Sequence, residues 1–290
     1  YSEFNGRKMI EARNPLQDPD VPRDFPTAKQ TFELSPLVEK LQRTVPLTIS
    51  LIEPHPAPVT LANVRMLEPL PNARPDAFVR TDKMEAQVLA SQHLVVEILN
   101  RSGGDPKWTA EQREVYTKAP ADPRYKELAE KILAENPLPN LKNELRGSPV
   151  LKLLSIRRWM ETNTTYWLEA EHHLAEDPTA SFLFGDRKGF CVHVAHAMVY
   201  LSRSLGMPTR LGGGYAVSSA QTGKSSGILM TAADRHLWCE LYVDGLGWVV
   251  IDAALEKSLS PPPPQPQTPD EALYNESNRP QFDPEPPTER

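Results

Sequence analysis

The chain holds only two cysteines, Cys191 and Cys239, in 290 residues. That number excludes a disulfide framework, although one bridge is possible and the redox compartment stays open. No run of 18 apolar residues occurs, so no segment reads as a membrane span. Positive charge is also short, with a formal net charge of -6. With no basic cluster interleaved with aromatics, nucleic-acid binding is excluded as a class. The sequence opens at Tyr1 without an initiator Met or a signal sequence. The expectation is a mature or excised fragment, with targeting or membrane segments outside it.

Proline is abundant: there are 30, ten of them within 261–290. The run Pro261-Pro262-Pro263-Pro264-Gln265-Pro266 reads as a polyproline-type linker entering an acidic tail with too little apolar surface to fold alone. Prolines also punctuate residues 1–46, favouring extended or irregular backbone. Two β-like runs follow, Leu47–Ile52 and Val59–Leu67, separated by a Pro-rich segment that cannot continue a ladder. Met84, Val88, Leu89, Val95 and Leu99, with a capping-box pattern at Asp82 and Glu85, predict a helix from Lys83 to about Arg101. Asp122-Pro123 and Ser148-Pro149 each place a cap before a Pro at the first helical position, so each opens a helix. Three regions are expected: 1–118, extended and β segments with a helix; 119–258, a catalytic domain; and 259–290, a tail or linker.

From Gly189 onward the residues carry chemistry. Val194, Met198, Leu201 and Leu205 lie on one helical face, Gly206 suits the position after the helix and Pro208 stops it. Cys191 therefore falls in the first turn, where unpaired N–H groups and the helix dipole favour a thiolate. On its own, a free cysteine is more often a small core residue. Arg235–Val243 and Trp248–Asp252 read as two strands joined by the turn signal Asp244-Gly245-Leu246-Gly247. A three-residue loop pairs Trp238 with Asp252 and puts His236 one diagonal step away on the same face. A two-residue loop would put His236 and Asp252 on opposite faces. With the odd loop, Cys191 is a candidate nucleophile, His236 its base and Asp252 the group that orients the base.

Gly189-Phe190-Cys191, Ala195, Leu201, Arg203, Gly206-Met207-Pro208-Thr209-Arg210 and Gly214-Tyr215 resemble the nucleophile block of transglutaminase-like proteins. His236–Asp252 resembles the His and Asp strands of the same family, and Asp177–Phe184 resembles the stretch ahead of the nucleophile in bacterial members. The resemblance covers about residues 120–256. It implies an α+β papain/transglutaminase-like core, with the nucleophile helix packed on an antiparallel sheet, plus a mixed N-terminal region. It carries the nucleophile, base and aspartate onto Cys191, His236 and Asp252. Trp167, His193 and Trp238 are further candidates for oxyanion contact or cleft lining.

The function expected is cysteine-dependent acyl transfer on peptide-like amides, with hydrolysis favoured over cross-linking. The alternatives are a protein-glutamine transglutaminase and a non-catalytic binding or assembly module that keeps the fold. The expected partner is a peptide or protein substrate, and membrane spans flanking the fragment would place it on the extracytoplasmic, periplasmic side. A cytoplasmic location stays open. No cofactor and no metal are expected: His172-His173 reads as a solvated helix face, since adjacent histidines point to different sides. Gly212-Gly213-Gly214 lacks the context of a phosphate loop and marks a bulge or a close backbone approach. His196 either lines the cleft or caps a surface, and Cys239 is expected to point away from His236 and be inert.

Overall fold

The computed structural model describes residues 1–11, 18–22, 24–32, 42–51, 58–60, 64–69, 80–89, 101–135, 147–216 and 228–254. Two short antiparallel strands open the chain, β1 (Glu3–Phe4) and β2 (Met9–Ile10). Next come β3 (Gln30–Thr31), β4 (Gln42–Leu51), β5 (Val64–Pro69) and β6 (Arg80–Leu89). These four form an antiparallel sheet in the order β3-β5-β6-β4. Val64 and Leu67 are its small buried cluster, with Phe32 and Ile49 packed against them. Pro46 is accommodated because β4 is an edge strand.

The helix expected from Lys83 is not there. Residues up to Leu89 form β6, bonded to β4 on one side and β5 on the other. Met84, Ala86 and Val88 alternate with Glu85 and Gln87 in the sequence, a two-residue period that serves a strand as well as the helical spacing serves a helix. Pairing on both sides decides between them. Residues 90–100 of that expected helix lie outside the described residues.

The remaining elements build the α+β core. They are α1 (Ala110–Thr117), α2 (Pro123–Glu135), α3 (Pro149–Asn163), β7 (Thr165–Tyr166), α4 (Pro178–Phe184) and β8 (Lys188–Gly189). Then follow α5 (Cys191–Ser204), β9 (Thr209–Tyr215), β10 (Arg235–Val243) and β11 (Gly247–Ile251). Ser148 caps α3 by accepting from the Leu151 amide, with Pro149 in the first turn. Asp177 caps α4 in the same way through the Ala180 amide. α1, closed by a reciprocal Thr109–Gln112 capping box, has too weak an apolar stripe to be legible in advance.

α5 is the centre of the molecule. Its residues from Val194 to Arg203 are buried on every side, which marks a core helix rather than an amphipathic one. α2, α3 and α4 pack around it and the sheet β11-β10-β9 covers it through β10 and β9. Gly206 follows in the left-handed region at φ +73°, which ends the helix as Gly at that position does. Arg203, 2% exposed, is spent on carbonyls: it donates to Thr209, Ser2 and Lys118. Burial lowers its pKa to about 10, so it stays charged. One guanidinium thus ties the end of α5 to the start of β9, to the chain's first residues and to the end of α1.

Those first residues are part of the core. Tyr1 exchanges two backbone hydrogen bonds with Leu211, at 2.8 and 2.9 Å, on the edge of β9 away from β10. Residues 255–290, with the polyproline run and tail, lie outside the described residues.

Candidate active site

Three elements converge on Cys191. β8 runs parallel to β7, and the Trp167 amide donates to the Gly189 carbonyl at 2.7 Å, fixing the strand that leads into α5. Gly189 has no room for a side chain: a Cβ would lie 2.9 Å from both His193 Nδ1 and the Phe182 ring. α5 then begins at Cys191, so the sulfur is carried by the first helical residue, where the backbone amides point outward toward incoming negative charge. Cys191 is 5% exposed and not in a disulfide.

The hairpin β10–β11 has the register that a triad requires. Val243 pairs with Gly247 and Cys239 with Ile251, leaving a loop of three residues between the strands. Gly245 (φ +73°) and Gly247 (φ +83°) supply its left-handed turns. Continuing the register one step sets Trp238 opposite Asp252, so His236 and Asp252 share a face. The contact follows: His236 Nε2 lies 2.5 Å from Asp252 Oδ2. Asp252 Oδ1 accepts from the Ala254 amide, which holds the carboxylate in place.

The imidazole is a poised group. Burial alone would lower its pKa, but the hydrogen bond to Asp252 and then the thiol of Cys191 outweigh burial and lift it to about 9. With Nε2 committed to Asp252, Nδ1 is the nitrogen left to take the thiol proton. Nδ1 is buried, and no hydrogen bond to it is found among the described residues. Cys239, fully buried on the opposite face of β10, is the reverse case: burial pushes its thiol pKa far up, with the Glu240 carboxylate adding to the rise.

The other sequence candidates have partners of their own. His193 is a helix cap: its Nδ1 accepts from the Phe190 amide at 3.2 Å, and its ring packs against Phe182, Phe190 and His172 in the core. Trp167 bonds to the nucleophile segment through its backbone amide, and the residue is 48% exposed. Trp238 lies beside His236, ring centroids 6.1 Å apart, but its Nε1–H donates to Glu240 Oε1 at 2.8 Å, so that donor is not aimed at the sulfur.

Three further expectations change. His172 is not on a solvated face: it is buried, with its ring nitrogens on Ser181 Oγ and the Lys188 carbonyl, where it braces the strand before Cys191. His196 neither lines a cleft nor caps a surface. It is buried with Nδ1 on the Val192 carbonyl, and burial lowers its pKa to about 4, keeping it neutral. The triple glycine is not a bulge, since β9 pairs with β10 without a break; it is a close approach, by a side chain rather than a backbone. No group of three or more His, Cys, Asp or Glu that could hold a metal occurs among the described residues.

Residues 140–253 match the family model described as the transglutaminase-like superfamily. The chain carries a transglutaminase-like domain. A stretch of 76 residues is 34% identical to a protein-glutamine gamma-glutamyltransferase of Pseudomonas aeruginosa, covering 26% of this chain and 11% of that protein. A stretch of 80 residues is 35% identical to the uncharacterized protein YebA of Bacillus subtilis, covering 27% and 11%. Each match therefore spans about a tenth of the relative's length. Among solved structures, the periplasmic domain of TgpA from Pseudomonas aeruginosa superposes with a TM-score of 0.47 at 16% identity, over 80% of each chain. No helix among the described residues is long and apolar enough to cross a membrane.

Proposed function

We propose that the transglutaminase-like domain is a cysteine-dependent acyl-transfer enzyme acting on peptide-like amides, with Cys191 as nucleophile, His236 as acid and base, and Asp252 as the orienting carboxylate. The observation that carries this is the arrangement around His236, with Asp252 on Nε2 and the Cys191 thiol as the second group acting on the ring. An imidazole so held takes the thiol proton, leaving thiolate and imidazolium. The thiolate attacks the amide carbon, and the Cys191 backbone N–H at the start of α5 is placed to stabilise the oxyanion. The imidazolium donates its proton to the departing amine as the C–N bond breaks, and a thioester remains on Cys191. The neutral imidazole then takes a proton from the acceptor, the acceptor oxygen or nitrogen bonds to the acyl carbon, and as the C–S bond breaks the imidazolium returns the proton to the Cys191 sulfur.

The acceptor separates two readings. Hydrolysis comes first, because water, always present, reaches a thioester wherever the surrounding protein does not exclude it. Transamidation is favoured instead by the named activity of the Pseudomonas aeruginosa relative. Incubating the chain with a glutamine- and asparagine-containing peptide library, with and without a primary amine, distinguishes them by mass. Cleavage or deamidation that disappears in Cys191→Ala supports hydrolysis; amine incorporation supports transamidation. Neither product, with Cys191 intact, would leave the fold acting only as a binding module. We further propose that the domain lies on the extracytoplasmic side of a membrane and that residues 259–290 link rather than fold.

A further inference from the structure

The face of β10 that carries His236 holds a second arrangement that acyl transfer does not use. Trp238 and Glu240 follow His236 at alternate positions, and across the ladder they meet Gly212 and Arg210. The indole lies directly on β9. A Cβ on Gly212 would fall 2.1 Å from Trp238 Nε1 and 2.6 Å from Glu240 Oε1, and a Cβ on Gly214 would fall 2.9 Å from Trp238 Cη2. Only glycine at both places lets the ring settle there. Glu240, itself buried, uses one carboxylate oxygen for the indole N–H and the other for Arg210 Nε at 2.7 Å. The buried guanidinium of Arg210 stacks on Trp248 at 4.1 Å and reaches Asp18 at 2.8 Å and Asp20 at 2.6 Å. An unbroken line of contacts thus runs from the His236 ring to the N-terminal segment.

We propose that Trp238, Glu240 and Arg210, completed by Asp18 and Asp20, are a positioning unit that keeps the His236 imidazole seated against Asp252 and sheltered from water. The unit rests on the catalytic reading only for its purpose; its structural content stands without it. Two features favour positioning over plain packing. Trp238 is adjacent to both partners, to His236 along the strand and to Asp252 across it. The indole also cannot swing away without breaking a hydrogen bond to a buried carboxylate that is itself held by a buried cation. Asp18 and Asp20 lie about 190 residues from Arg210 in sequence, so this guanidinium links the N-terminal segment to the strand beside His236.

The test reads a proton on His236 and needs no substrate, so its failure is distinct from failure of the proposed activity. In the full chain, labelled with ¹⁵N-histidine, the Nε2–H proton bonded to Asp252 is expected to be visible by NMR and slow to exchange with water. Glu240→Gln keeps the shape and an acceptor for the indole but removes the charge that Arg210 grips, and exchange should quicken by about tenfold or more. Gly212→Ala, which drives the indole off the strand, should do the same, and Asp20→Asn should give a smaller change in the same direction. Trp238→Phe keeps a ring on the glycines without the N–H, and serves if either variant fails to fold. Exchange as slow as in the original chain, in folded Glu240→Gln and Trp238→Phe, would overturn the proposal and leave these residues as packing alone.

Discussion

His236 works between two partners, and the consequences can be measured one residue at a time. Asp252→Asn keeps the size of the side chain but can present an amide N–H to the imidazole, so the ring loses its preferred tautomer. Turnover should fall by on the order of 10²–10⁴ in a chain that still folds, with its thermal midpoint lowered near neutral pH by loss of the buried pair; near-normal turnover would mean that another group orients His236. The pH dependence has a definite sign. The folded pKa of about 9 lies above the unfolded value of 6.5, so this group contributes stability that is fully present below about pH 6.5. That contribution fades as pH rises through 9. Urea midpoints from pH 6 to 10 should therefore fall further for the original chain than for Asp252→Asn, and parallel curves would show that the pair is not formed. Activity should decline over the same upper range, as the imidazolium that protonates the leaving amine is lost.

At the scale of elements, the loop of the β10–β11 hairpin decides whether a site exists at all. Three residues between Val243 and Gly247 put Asp252 on the His236 face, and the backbone manages this with left-handed glycines. Nothing lies within 4 Å of a Cβ built on Gly247, so Gly247→Ala tests backbone strain without a clash. It should cost about 1 kcal/mol in urea denaturation; an unchanged midpoint would contradict the turn geometry. This hairpin, the buried α5 and the capped starts of α2 and α3 were all readable from the sequence, because each is set by residues within a few positions of one another. β6 was misread as a helix because its partners, β4 and β5, come from outside the segment. His172, read as part of a solvated face, is likewise set by partners outside its own stretch, Ser181 and the Lys188 carbonyl, whereas His193 beside the nucleophile is a cap bonded to the Phe190 amide.

Over the whole molecule, the least legible feature was how the N-terminal residues join the core. No periodicity announces that Tyr1 extends the β9 edge, that Ser2 receives Arg203, or that Asp18 and Asp20 enclose Arg210. Each of these links joins residues more than 180 positions apart, and none repeats a local pattern. The consequence is unequal ends. Deleting residues 1–20 removes carbonyl and carboxylate partners from two buried guanidinium groups, which are costly to leave unsatisfied. The thermal midpoint should drop by well over ~4 °C, whereas truncation after Ser258 should shift it by less than that. Equal shifts, or a larger one from the C-terminal truncation, would mean that the tail is a packed element and not a linker.

The most direct measurement is the alkylation rate of the two cysteines by iodoacetamide, followed peptide by peptide in the native chain between pH 5 and 9. Cys191, at the start of α5 beside His236, should label many times faster than Cys239 at pH 6–7, and His236→Ala should remove most of that advantage. Equal rates, faster labelling of Cys239, or a Cys191 rate indifferent to His236 would show that the thiol and imidazole do not act together.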